Sequence, residues 1–444
     1  MSMNPSMNNS MNEGLAKSLL QVNKLNYALP PSIGIASKCT HQTNFSNQNI
    51  YQPSSTIIFD VQTGSQFVDA AASYLKFVVK PETGKAGNWG AGSAANIVER
   101  VVVRLSNGTE MSRLEDASLF VKMYDVAMKN TNWRDTLGAN QGYNPLDFPS
   151  RTANVYGEAV PTTGKTFIIP VQCLMPCMSP HGGALLPPNA MSGMRIELTL
   201  RSTADAFCAQ NQVSFENPPT TYTVERPEIH WKVYELADQF QQAIQQMAKS
   251  TGLNLLWKEQ FHTIISPGGA ATSINFDIKK ACSKALKARM LTRLNSVINQ
   301  VGADKHASAV FNYDSQQAHI GSDYFPNQKL TLTTVDINSI AEPYYYAMYA
   351  QDKLEYWSPS GVSPKEFLGV VLTGSKTNDI YNSGHLAYNF VKSNVSDLSG
   401  YTTSNSRALL VDLQLASAQD VRIDCYLEFL RLSKLYLSNA VVLD

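Results

Sequence analysis

The sequence predicts an all-β chain: two antiparallel β-sandwiches in tandem, with a few short helices, one of them joining the halves near the midpoint. Three observations predict it. Apolar and polar residues alternate in separate stretches on both sides of the middle, and period two with one polar face marks half-buried antiparallel strands. Long Gly-, Asn- and Pro-containing loops separate those stretches. At 444 residues the chain is also too long for one ordinary core, so two or more domains are expected.

The joining helix is read over 235–251, E-L-A-D-Q-F-Q-Q-A-I-Q-Q-M-A-K-S-T. Leu236, Phe240, Ala243, Ile244 and Met247 make one apolar stripe at the helical period. Glu235 and Asp238 near its start and Lys249 near its end suit the helix dipole, and Gly252 is a good stop. The domains follow from it: an N-terminal arm over 1–50, partly disordered; a first sandwich over 51–234; the linker over 235–252; a second sandwich over 253–444.

Composition limits the function classes. Hydrophobic residues make up 43 %, enough for folded cores, while charged residues make up only 16 %, against about 25 % in an average soluble protein. Such a surface suits a protein packed against neighbours, or simply a polar globular one. A net charge of zero argues against the whole chain being a nucleic-acid binder. Six scattered cysteines form no disulfide framework and read as reduced, mostly buried thiols. Neither a membrane-spanning run nor the apolar core of a secretory signal is found, which predicts a chain made and kept in a cytosolic or nuclear compartment. The sequons at Asn44, Asn107 and Asn394 are then chance matches.

In chain order, residues 1–50 are Asn-, Ser- and Met-rich with a short apolar patch (Leu15, Leu19, Leu20, Val22), as in an arm ordered by contact with something else, or in a plain disordered tail. Alternation then marks strands through Leu75, Phe77 and Val79; Val101, Val103 and Leu105; Met194, Ile196, Leu198 and Leu200; and Ile229, Trp231 and Val233. A helix is predicted over 112–129, with Ser112 and Glu115 as a capping box and Ala117, Phe120, Met123, Tyr124, Ala127 and Met128 as its apolar stripe. Loops fill 130–164. In the second half, Phe261–Ile265 and Ile274–Ile278 flank Ser266-Pro-Gly-Gly269 as a hairpin signal. Leu286, Ala288, Met290 and Leu294 alternate with Lys287, Arg289 and Arg293. Strand signals are sparse over 301–400, a stretch rich in aromatics (Tyr324, Phe325, Tyr344-Tyr345-Tyr346, Tyr349, Tyr356, Trp357), which reads as interaction loops. Leu409 to Leu415 and Val421 to Phe429 close the chain. Met194–Leu200 and Val421–Leu427 echo one another as though the halves were duplicated.

Chemistry is sparse. Gly164-Lys165-Thr166 ends a relaxed phosphate-loop pattern, but such a loop needs a helix after it, and Phe167-Ile-Ile-Pro170 reads as strand. Cys173, Cys177 and His181 could form part of a metal cluster, yet a fourth ligand is not evident, so buried thiols are the alternative. No residue is assigned as catalytic, cofactor-binding or metal-binding, and no cofactor or small-molecule substrate is expected. Lys279, Lys280, Lys284, Lys287, Arg289 and Arg293 form a basic stretch without an acid, read either as a solvated face or as an inward face that meets genome, scaffold or an acidic neighbour.

Several stretches taken together resemble the double jelly-roll major capsid proteins of icosahedral DNA viruses, of the virophage, Polinton-like and adintovirus type. They are Ser54–Phe59 through Asp69–Leu75; Val101–Gly108 and the helix after it; Leu185-Leu186-Pro-Pro followed by Met194–Leu198; Tyr324–Leu330; and Arg422–Asp424. They span about 51–437. The resemblance implies two jelly rolls side by side in each chain, and a hexon-like structural protein rather than an enzyme. It also implies homotrimeric, pseudo-hexagonal capsomers that tile a virion shell assembled in the host cytoplasm or nucleus. Expected partners are neighbouring capsomers and the penton and minor capsid proteins, with inner-layer or genome contact through the arm and Lys279–Arg293. The tyrosine-rich second half is the candidate for trimer contacts. The alternatives are a penton or minor capsid jelly-roll protein and a carbohydrate-binding β-sandwich.

Overall fold

The computed structural model describes residues 36–85, 87–129, 132–133, 136–143, 159–209, 218–308, 313–332, 339–351, 367, 384–392, 399–404, 406–436 and 440–443. Sixteen strands carry the architecture. The first eight are β1 (Ala36–Phe45), β2 (Thr56–Asp60), β3 (Phe67–Pro81), β4 (Val98–Arg104), β5 (Glu110–Glu115), β6 (Lys165–Pro170), β7 (Arg195–Leu200) and β8 (Tyr222–Leu236). The second eight are β9 (Leu253–Ile265), β10 (Ala271–Ile278), β11 (Cys282–Leu294), β12 (Tyr313–Ile320), β13 (Asp323–Leu332), β14 (Leu386–Asn389), β15 (Leu409–Gln419) and β16 (Val421–Leu435). Three longer helices are α1 (Ala117–Met128), α2 (Asp238–Ser250) and α3 (Ala341–Ala350).

In the first sandwich the sheets run β1-β8-β3-β6 and β2-β7-β4-β5; in the second they run β9-β16-β11-β14 and β10-β15-β12-β13. Adding eight to each strand of the first pair gives the second. This is the jelly-roll order, in which strands alternate between two facing sheets. The alternation read from sequence fills the cores: Leu75, Phe77, Val79, Val101, Val103, Ile196, Leu198, Ile229, Trp231 and Val233 are buried in the first, and Val411, Leu413, Ile423, Cys425 and Leu427 in the second.

Six expectations need correction. β1 lies inside the predicted arm. It pairs along its length with β8, from Ala36 opposite Leu236 to Phe45 opposite Glu228. As a sheet-edge strand it has no apolar alternation to betray it. The helix predicted from Ser112 begins at Ala117, because Ser112 belongs to β5 and its hydroxyl bonds Glu259 rather than a helix end. Strand β8 runs through Leu236, so the joining helix is shorter than predicted, and Met247 of its stripe is 53 % exposed while Ala248 is buried.

The Ser266–Gly269 turn makes no hairpin. β9 and β10 lie in different sheets, so 266–270 carries the chain across the sandwich. The sequence echo also pairs the wrong strands: Met194–Leu200 holds β7, whose counterpart is β15, whereas Val421–Leu427 lies in β16, the counterpart of β8. The duplication lives in topology, not in those seven residues. Finally, the aromatic stretch after 300 contains β12, β13 and β14, and the tyrosine run sits in α3. Tyr356 and Trp357 lie outside the described residues, as does 1–35 of the arm.

Candidate functional site

The most elaborate polar chemistry among the described residues lies where the two sandwiches meet. The β9-β16-β11 sheet is covered on both faces. Its inner face packs in the second core. Its outer face receives β5 and the turn at Pro176–Met178 from the first sandwich, and the Phe120 ring of α1. Leu255, Trp257, Leu291, Tyr426 and Leu435 accordingly belong to the first core although they come from the second half. The Phe120 ring of α1 sits 5.5 Å from that of Tyr426, which stacks at 4.6 Å on His262.

This face explains the basic stretch. Arg289 and Arg293 on β11 are buried, and their acids stand on the neighbouring strand β16. Arg293 donates to Asp424 from Nη2 at 2.5 Å and from Nε at 2.9 Å, and Arg289 donates from Nη1 to Glu428 at 2.9 Å. Arg422 at 3.1 Å and His262 at 3.2 Å complete the shell of Asp424. Burial by itself would raise these two carboxylates. For Asp424 the His262 hydrogen bond and the charges of Arg293 and Arg422 outweigh it and hold the group well below the usual carboxylate range. For Glu428 the charges of Arg289, Lys287 and Lys258 bring it to about 2. Lys279 is 76 % exposed beside Asp277, and Lys284 is exposed too. The stretch is thus not a uniform solvated face: Arg289 and Arg293 are buried at the junction, while Lys279 and Lys284 are exposed. A signal in the sequence would have found this: Arg289 and Arg293 are four apart on one strand face, as are Asp424 and Glu428.

Asp116 and Glu259 bring the first sandwich into the network. Asp116 joins β5 to α1 in a left-handed conformation, φ 47° and ψ 49°. Its carboxylate bonds Arg201 and lies 3.7 Å from Arg422. Glu259 accepts from Ser112 Oγ at 3.0 Å and from Trp257 Nε1 at 2.9 Å. Burial pushes its carboxyl up to about 7.

A second tie comes from the segment after β11, which reaches into the first sandwich. Ala209 N–H donates to Gly302 O at 2.8 Å and Ala91 N–H to Asp304 Oδ2 at 2.6 Å. Lys305 bridges to Asp205 at 2.7 Å, His306 bonds Ser118 Oγ at 2.9 Å, and Lys122 Nζ donates to Ser308 Oγ at 3.0 Å. Gly90, at φ +62°, gives Asp304 room: a Cβ there would fall 2.4 Å from Asp304 Cγ.

Among the described residues, Asp116, His262 and Asp424 hold ligand atoms within 4.8 Å of one another. Three guanidiniums (Arg201, Arg293, Arg422) already share those carboxylates. That donor set is neutralised by protein cations and is no metal cradle. Cys173 and Cys177 are buried, and burial holds both thiols well above their usual range, whereas His181 is exposed on a turn. They are not brought together as a ligand set. Gly164-Lys165-Thr166 enters strand β6, with Lys165 Nζ over the Phe167 ring at 5.7 Å, so no helix N-terminus follows to bind phosphate.

No family model and no curated protein sequence matches the chain. Solved structures do. VP54 of the virus PBCV-1, in a crystal structure fitted into a reconstruction of the virophage Sputnik, superposes with a TM-score of 0.58 at 10 % identity, over 94 % of this chain and 98 % of that one. The Faustovirus major capsid protein gives 0.56 at 8 % identity, over 96 % and 98 %. The mavirus major capsid protein gives 0.54 at 9 % identity, over 95 % and 93 %. The chain has the double jelly-roll fold of these major capsid proteins.

Proposed function

We propose that the chain is a major capsid protein whose trimers form pseudo-hexagonal capsomers in the shell of an icosahedral DNA virus. The observation that carries this reading is the repetition of one strand order in two sandwiches locked side by side, over nearly the full length of viral major capsid chains in both directions. Two like units per chain let three chains present six similar lobes, a footprint that tiles a curved hexagonal lattice. The buried ionic junction suits that role, because it fixes the angle between the lobes before assembly. Neighbouring capsomers and the penton and minor capsid proteins are the partners of this reading, and the virion is its location.

Negative-stain images of the purified chain test it. Particles with a hexagonal outline and a central three-fold axis are expected. Single two-lobed particles at all concentrations would contradict it, and binding of such a monomer to glycan arrays would favour a carbohydrate-binding sandwich instead.

A further inference from the structure

The two halves differ in one respect that their shared topology makes informative. In the second sandwich the outer face of β9-β16-β11 is covered by β5, the Pro176–Met178 turn and α1, whose Phe120 packs on Tyr426. In the first, the equivalent outer face of β1-β8-β3 is left accessible: Tyr74, Lys76 and Val78 of β3 and His230, Lys232 and Tyr234 of β8 are all only partly buried. Both faces carry similar side chains, though on different strands: the tyrosine–histidine pair lies on β16 and β9 in the second and on β3 and β8 in the first. The second has a stacked tyrosine–histidine pair, Tyr426 on His262 at 4.6 Å, with the imidazole 3.2 Å from Asp424. The first has Tyr74 on His230 at 4.8 Å, with the imidazole 3.2 Å from Glu228. Each also has a cation from its third strand paired with a glutamate on its last: Arg289 with Glu428 at 2.9 Å, and Lys76 with Glu228 at 2.5 Å. The Arg289 side chain is 4 % exposed and the Lys76 side chain 40 %.

The covering element is duplicated as well. Helix α1 follows strand β5, and α3 follows β13, the counterpart of β5. On α1, Phe120 and Tyr124 stand four residues apart with their rings 5.9 Å from each other, and Phe120 packs on Tyr426. On α3, Tyr345 and Tyr349 stand four residues apart, 53 % and 41 % exposed, while Pro343, Ala347, Met348 and Ala350 are buried, Ala347 and Met348 in the second core. One helix face is therefore anchored and the other presents two aromatic rings to solvent. Glu342 is exposed on the same stripe, opposite in sign to Lys232 on the uncovered sheet, where Lys76 is already paired with Glu228.

We infer that α3 of one copy docks, through Tyr345 and Tyr349, on the Tyr74–His230 face of the first sandwich of the next copy, as α1 docks on the Tyr426–His262 face within the chain. The contact is head-to-tail, so repetition closes a ring rather than a two-fold pair. Tyrosines suit it: they bring large rigid area at little entropic cost and keep a polar tip for the rim. The inference rests on the capsomer reading and names the surfaces that reading needs.

The test is a cross-link in the full chain. With Cys39→Ser removing the exposed native thiol, Tyr345→Cys and His230→Cys are combined and treated with a short bis-maleimide. A ladder of two- and three-chain products on a denaturing gel is expected, with each single variant remaining at the one-chain position. A companion Tyr345→Ala/Tyr349→Ala variant, whose changes lie on an exposed helix face, is expected to keep the wild-type circular dichroism and raise the dissociation constant of the oligomer at least tenfold. A trimeric wild type, together with no ladder from the double-cysteine variant and an alanine variant that stays equally trimeric, would overturn the docking and leave the capsomer reading standing. A wild type that is monomeric throughout would overturn both.

Discussion

The Tyr426 hydroxyl donates to the carbonyl oxygen of Asp116 at 2.8 Å, a bond between residues 310 positions apart. It ties β16 of the second sandwich to the left-handed residue that starts α1, while the ring packs against Phe120. One side chain thus reports on the junction. Tyr426→Phe keeps the ring and removes the bond, at a cost of about 1 kcal/mol. Tyr426→Ala also removes a fully buried aromatic and is expected to cost about 3–5 kcal/mol. Urea midpoints of the two variants check the order.

Asp424 is the most heavily shared carboxylate of the junction. Asp424→Asn leaves Arg293 buried without its counter-charge, and breaking such a pair costs roughly 3–5 kcal/mol. Thermal melts of the variant should fall by several degrees, more than for Asp277→Asn, whose partner Lys279 is exposed.

Glu428 sets an acid limit. Its folded-state pKa, about 2 against an ordinary 4.5, is depressed, so its contribution is present above about pH 4.5 and is lost as pH falls toward 2. The difference amounts to about 3 kcal/mol. Glu428→Gln should therefore flatten the loss of stability between pH 4.5 and 2 relative to wild type. An unchanged acid limb in urea titrations would contradict the pairing with Arg289.

Glu259 acts in the opposite direction. Burial raises it to about 7, so the fold favours the protonated acid. The resulting stability is present below about pH 4.5 and is lost as pH rises through 7, again by up to about 3 kcal/mol. Glu259→Gln removes that slope. Asp125, also raised to about 7 by burial, remains to give the variant part of the wild-type decline between pH 5 and 7.

Particular residues show why the sequence disclosed the sandwiches better than their junction. Val101, Val103, Ile229 and Trp231 obey the period-two rule because one face of each strand meets a core, although Val102 on the opposite face of β4 is buried as well. Strand β1 escaped notice because an edge strand buries little, and Cys39 to Phe45 alternate in no apolar pattern. Lys287, Arg289 and Arg293 misled for a different reason. Their face is buried against another domain, and the acids that neutralise them lie over 130 residues away. Ser112-x-x-Glu115 satisfies the local rule for a capping box, but a tertiary partner, Glu259, claims the serine. The candidate surfaces, Tyr74–His230 and Tyr345–Tyr349, emerge only when the two halves are superposed by topology.

Gly90 probes the other tie between the halves. At φ +62° and in contact with Asp304, it has no room for a side chain. Gly90→Ala is expected to strain the backbone by about 1–2 kcal/mol and to displace the Asp304 carboxylate. Faster amide exchange at Ala91, whose N–H donates to Asp304, would report the displacement; unchanged exchange at that amide would contradict the latch.

The solution mass of the purified chain, measured by light scattering over a wide concentration range, bears most directly on the capsomer. The account predicts a particle of about three times the 48.9 kDa chain, slow to dissociate on dilution. A stable monomer would contradict it, and a pentamer would assign the chain to a shell vertex instead.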